Sequence, residues 1–159
     1  MAHGRVVCPV GLAGLLLSLA GVAPAQAGCE PTWGVRLSTP QIVSASAGVL
    51  IGEIDAPEPP PPGTHLPHGL LLQVEPGLAG GKLSVGYAKG LLPYAAGGLK
   101  LSALRTWGHP LVAKPRATYV GIEAEATFFV KFSVGVMRRV GGNPASSRTM
   151  VTGGIGIGF

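Results

Sequence analysis

From Trp33 onward, large aliphatic or aromatic residues alternate with small or polar ones, and the alternation breaks mainly where Gly and Pro gather. A period of two is the mark of a strand whose two faces meet different surroundings. Eight segments carry it: 33–38, 42–54, 70–75, 82–89, 94–107, 116–126, 128–139 and 148–159. One face carries Leu70, Leu72 and Val74, then Leu83, Val85 and Tyr87, then Leu99 and Leu101. It continues through Val120, Ile122 and Ala124 to Phe128, Val130, Phe132, Val134 and Val136. The other face carries Gln73, Ser84, Ser102 and Ser133 together with most of the charge. Helical periodicity is almost absent. The pattern predicts an all-β fold, a small antiparallel up-and-down β-barrel of about eight strands. Eight strands of roughly ten residues use about 80 residues, and the rest suffices for turns and loops.

Such a ring has an interior barely wide enough for its own side chains. The charged residues of the polar face are Arg36, Glu75, Lys82, Lys100, Glu123, Glu125 and Lys131. Four bases stand against three carboxylates, the near-balance that a closed interior needs, since an unpaired ion there is expensive. The expected core is a plugged ion-pair network with no open pore. The apolar face must then point outward, which fits the composition. Charged residues are 12% of the chain, where a soluble domain has roughly 25%. Gly supplies 26 of 159 residues, against a usual share of about 7%. An exterior so poor in charge suits hydrocarbon better than water, and the barrel is expected to be transmembrane. A soluble barrel of lipocalin type alternates equally well with its faces swapped, so a periplasmic carrier of a hydrophobic ligand stays open as the alternative.

The first 27 residues read as a secretory signal. His3 and Arg5 precede an apolar stretch, 10–22, and Ala25-Gln26-Ala27 supplies a small-x-small cleavage site. The apolar run is short of the roughly 20 residues of a membrane-spanning helix. Cleavage leaves a single barrel domain, 28–159, with a Pro-rich loop at about 55–69. Cys8 departs with the signal, so the mature chain has one cysteine and no internal disulfide. That residue, Cys29, stands where a lipoprotein carries its acylated cysteine, although Gln26 departs from the aliphatic usual there. Without Arg5, eleven Lys and Arg face seven Asp and Glu. The bases are scattered along the strands, with no stripe suited to nucleic acid; anionic headgroups are a milder possibility.

The eighth segment is the most specific. Val151, Gly153, Ile155, Ile157 and Phe159 share its outward face, and Thr152, Gly154, Gly156 and Gly158 its inward face. This resembles the C-terminal assembly signal of bacterial outer-membrane β-barrel proteins, in which a terminal Phe follows alternate apolar residues. The resemblance implies the bacterial outer membrane as location, outer-membrane lipid as surroundings, and the barrel-assembly machinery as partner during biogenesis. It identifies an architectural class and no specific family, and it leaves the oligomeric state open. In that class both chain ends are periplasmic and the periplasmic turns are short. The Pro-rich connection between the second and third segments is long on that side, and the turn at Thr39-Pro40-Gln41 is short on the other. The connections 107–115 and 141–147 suit extracellular loops, and Ala126-Thr127 a tight periplasmic turn.

Candidate chemistry is thin. His65 and His68 lie in the Pro-rich loop and His109 in another, without the third ligand and rigid frame of a metal site. Glu123 and Glu125 stand roughly 7 Å apart on one strand face, a spacing compatible with glycoside hydrolysis, but Lys100 and Lys131 beside them favour ion pairs. Gly77, Gly80 and Gly81 lack the Lys-Ser/Thr of a nucleotide loop and read as a hairpin. Pro59 to Pro62 could form a polyproline II ligand, but read as a spacer or a partly disordered loop. Trp33, Tyr87, Tyr94, Trp107, Tyr119 and Phe159 fall near strand ends, where they suit interfacial aromatic girdles. Some small outer-membrane barrels are lipid A-modifying enzymes that use Ser and His. Here His109 and Ser146 or Ser147 occupy separate loops, and nothing in the spacing joins them. No catalytic, cofactor or metal residue is assigned. The expected role is structural or surface-interacting, with a lipid-modifying enzyme as the second alternative.

Overall fold

The computed structural model describes residues 28–55, 66–92 and 95–158. These form eight strands: β1 (Gly28–Ser38), β2 (Ile42–Asp55), β3 (Leu66–Gly77), β4 (Gly80–Leu92), β5 (Ala95–Thr106), β6 (Ala117–Phe128), β7 (Val130–Gly142) and β8 (Thr149–Gly158). Each pairs antiparallel with the next, and β8 returns to β1, so the sheet is a closed barrel. Closure gives each of the eight strands a hydrogen-bonded neighbour on both sides. The closing seam runs over five registered pairs, from Gly34↔Gly158 to Ser38↔Gly154. Connections 39–41, 78–79, 107–116 and 143–148 gather at one end, the loop rim. The other end, the terminal rim, carries the start of β1, the end of β2, the start of β3, the end of β4, the start of β5, Phe129 and the end of β8.

The alternation sorts as its chemistry dictates. Leu83, Leu101, Val134, Val151 and Ile157 are each more than half exposed on the outer wall, whereas Lys100 and Glu123 retain 1% of their surface inside. Most large aliphatic side chains of the strands face away from the bore, and Arg36, Glu75, Lys82, Lys100, Glu123, Glu125 and Lys131 converge on it. Glycines on the inner face make room for long inward side chains. Gly86 stands opposite Lys100, and Gly156 lies between Arg36 and Lys131. A Cβ on Gly86 would meet the Leu99 carbonyl oxygen at 2.2 Å, and one on Gly156 the Val35 carbonyl oxygen at 2.3 Å. Only hydrogen fits at those approaches.

Several boundaries differ from those read in the sequence. The β2–β3 ladder continues to Asp55↔Leu66, so His68 belongs to β3 and the long connection contracts to 56–65. The β6–β7 reversal falls at Phe129, which takes a φ of 62°, and Ala126 and Thr127 are strand residues. Gly77↔Gly80 closes the β3–β4 hairpin, as the glycine spacing suggests. The expected signal (1–27), His65, Pro59 to Pro62, Tyr94 and Phe159 lie outside the described residues. Cys29, the one cysteine expected after cleavage, lies in β1 and is half-buried; Cys8 lies outside the described residues.

Candidate functional site

Two layers occupy the bore between mid-barrel and the loop rim among the described residues, and strand register builds the first. Glu75 on β3 is directly opposite Lys82 on β4, and Lys100 on β5 is opposite Glu123 on β6. Lys82 Nζ donates to Glu123 Oε2 at 2.7 Å and lies 3.2 Å from Glu75 Oε2. Lys100 Nζ reaches Glu125 Oε2 at 2.7 Å and Glu123 Oε1 at 3.3 Å. Arg36 crosses the bore from β1 to β6. Its guanidinium contacts Glu123 Oε1 at 3.2 Å, Glu75 Oε2 at 3.5 Å, and Glu125. Lys131 Nζ stands 3.7 Å from Glu125 Oε1. The structure therefore joins all seven sequence-selected ionic residues in one cluster.

Neutral groups complete its coordination. Ser44 Oγ donates to Glu75 Oε1 at 2.7 Å, Lys100 donates to Gln73 Oε1 at 2.9 Å, and Arg36 donates to Ser133 Oγ at 3.1 Å. Each carboxylate meets at least two cations. That matters because desolvating an ion costs several kcal/mol, and only good geometry with satisfied lone pairs offsets it. Such carboxylates are held as fixed counter-ions, so Glu123 and Glu125 present neither a free nucleophile nor an unpaired acid.

The second layer lies toward the loop rim. Leu104, Ala117, Tyr119, Met137 and Met150 form a buried apolar cluster. Tyr119 is thus an inward core residue and no part of an outer girdle. Its hydroxyl shares a 2.6 Å hydrogen bond with Ser146 Oγ and donates to the Ser147 carbonyl. Ser146 Oγ also accepts from the Lys114 amide at 2.9 Å. Arg139 donates to the Asn143 and Ser146 carbonyls at 2.7 and 2.6 Å. Connections 107–116 and 143–148 are thereby fastened over the barrel mouth. Ser146 is committed to Tyr119 and Lys114, while His109 is exposed in the neighbouring connection. His68 lies beside Tyr87, ring centroids 6.3 Å apart. Among the described residues no group of three or more His, Cys, Asp or Glu could hold a metal ion. No protein-family model, curated protein or solved structure matches this chain.

Sequence reading missed Ser44 and Gln41 around the ionic layer, and Leu104, Met137 and Met150 in the apolar one. Gln41 is buried under the β1–β2 turn and donates to the Glu75 and Gly80 carbonyls at 2.9 and 3.3 Å. The inward parity of Ser44 was available as a signal; nothing in the sequence singled out Gln41. The expectation of scattered bases also needs correction. Outside the bore, Arg105, Lys114, Arg116, Arg138, Arg139 and Arg148 all belong to the loop-rim ends of β5 to β8 or the connections between them.

Proposed function

We propose that this chain is an integral protein of the bacterial outer membrane, with hydrocarbon around its outer wall and a sealed interior, acting through structure and surface contact and not through catalysis. One observation carries the reading: the barrel is inverted relative to a water-soluble one, with ions inside and large aliphatic side chains outside. A lipocalin-like carrier needs an apolar bore, and this bore is spanned by Arg36 and its carboxylates. Strands of 10 to 14 residues meet the roughly 9–11 needed by a tilted membrane strand. The outward row Val151, Gly153, Ile155 and Ile157 on β8, together with Phe159 next in the sequence, is assigned to recognition by the barrel-assembly machinery. On this orientation the loop rim faces the cell exterior, and its fastened connections form the surface available to partners.

Fractionation of expressing cells, with gel migration of boiled and unboiled samples, tests the reading. The folded barrel is expected in the outer-membrane fraction and migrates differently before and after boiling. Recovery in the soluble periplasm with heat-independent migration contradicts it.

A further inference from the structure

The charge outside the bore is segregated along the barrel axis. The loop-rim half of β5 to β8 and its connections carry six bases, and the segment 105–148 holds no Asp or Glu except Glu123 and Glu125, both ion-paired inside the bore. Arg139 is spent on the Asn143 and Ser146 carbonyls. Arg105, Lys114, Arg116, Arg138 and Arg148 are exposed, and among the described residues none is ion-paired. Glu30, Glu53 and Asp55 belong to strands at the opposite rim. The loop-rim ends of β1 to β4 are uncharged on the outer wall. The cationic patch is therefore one-sided, covering half the circumference at one end.

It also adjoins a cavity. A shallow recess of about 390 Å³ opens on the outer wall, lined by Val74, Pro76, Leu83, Ala103, Arg105 and Trp107. Trp107 lies over Gly81, whose missing side chain makes the space. The recess is apolar except at its lip, where Arg105 donates to Thr118 Oγ1 at 3.1 Å. Arg138, two strands along, is about 10 Å away around the barrel by strand spacing, on the same outer face. A greasy slot beneath a cationic lip has the shape of an amphiphile with an anionic head.

We propose that this patch is a binding site for a phosphate-bearing anionic membrane lipid, with an acyl chain in the recess and the phosphate held by Arg105 and the neighbouring cations. The inference rests on the membrane reading above and adds to it a lipid class and a place. Arginine suits phosphate because its planar fork donates in pairs. Each cation near an anionic headgroup supplies about a fivefold preference. Three such cations place a ceiling of about 100-fold on the preference lost with them.

The test uses protein purified from membranes and reconstituted in phosphatidylcholine bilayers containing a minority of phosphatidylglycerol. Lipids retained after gentle extraction are counted by native mass spectrometry. The wild-type barrel is expected to retain phosphatidylglycerol about tenfold or more above its bilayer share. The triple variant R105Q/R138Q/R148Q is expected to fall to the bilayer ratio. A103W, which fills the recess without changing charge, is expected to lose most of the retained lipid, and K89Q, on β4 towards the opposite rim, to lose none. Equal retention by the triple variant and K89Q overturns the site. So does displacement of the lipid by millimolar inorganic phosphate alone, which marks a free-anion site, or a dimer that seals the recess. Heat-modifiable migration of the same samples separates the two levels. A wild-type barrel that enters the bilayer without lipid preference overturns only this inference, and one that fails to enter overturns both.

Discussion

Replacing Glu123 with Gln removes the carboxylate that touches three cations: Lys82 at 2.7 Å, Arg36 at 3.2 Å and Lys100 at 3.3 Å. Shape is nearly conserved, so the perturbation is electrostatic. At an effective dielectric near 20 each contact contributes on the order of 4 kcal/mol in gross terms. Most of that is cancelled by desolvating the ions, and breaking a buried pair from one side costs about 3–5 kcal/mol net. E123Q leaves four cations facing Glu75 and Glu125, so the upper half of that range is expected. K82Q brings the cluster to three cations and three carboxylates and should cost less, about 1.5–3 kcal/mol for lost charged hydrogen bonds. The double variant E123Q/K82Q should cost less than the sum, with a coupling of about 1–3 kcal/mol. Urea unfolding of the barrel in lipid vesicles measures each value by linear extrapolation. The two tryptophans, Trp33 and Trp107, are both on the outer wall and report unfolding by fluorescence. A cost below about 1 kcal/mol for E123Q, or strict additivity in the cycle, would show a hydrated bore with independent charges and refute the network.

Further outcomes follow from packing at single positions. G86A places a methyl against the Leu99 carbonyl beside Lys100 and should lower stability by about 2 kcal/mol or more through overpacking. G141A meets nothing within 4 Å and should change it by less than about 0.5 kcal/mol; equal urea midpoints for the two contradict the close approach. Y119F strips the hydroxyl that ties Ser146 and Ser147 to the barrel and should cost about 1–3 kcal/mol. It should also speed protease cleavage in 143–148, and an unchanged cleavage rate contradicts the fastening role. Deletion of Phe159 should lower the amount of barrel recovered from the outer membrane, and unchanged levels remove Phe159 from the assembly signal.

Much of this architecture is legible in the sequence because a barrel exposes its two wall faces to opposite media. Lys82, Ser84 and Gly86 alternate with Leu83, Val85 and Tyr87, and one pattern gives both the strand and its sidedness. The reversal at Phe129 is hidden because Phe128-Phe129-Val130 reads as continuous strand, and a positive φ at an aromatic residue is rare. Pro67 and Gly69 around His68 carry loop chemistry, yet the ladder with β2 continues through them. The apolar layer of Leu104, Met137 and Met150 is concealed for a different reason. Inward Leu and Met look like outward ones until register assigns the parity. The cationic patch has the same origin: Arg105, Arg138 and Arg148 are far apart in the chain, and the antiparallel register brings them to one rim.

The medium around the outer wall is the point on which the rest depends. Val134, at mid-strand on β7 and 58% exposed, can report it once Trp33 and Trp107 are changed to Phe and V134W supplies the single indole fluorophore. In bilayers whose acyl chains carry bromine near mid-depth, hydrocarbon contact predicts strong quenching of that indole and little effect of aqueous acrylamide. Efficient quenching by acrylamide with indifference to the brominated chains would mean that water bathes this wall, and the membrane barrel would have to be abandoned.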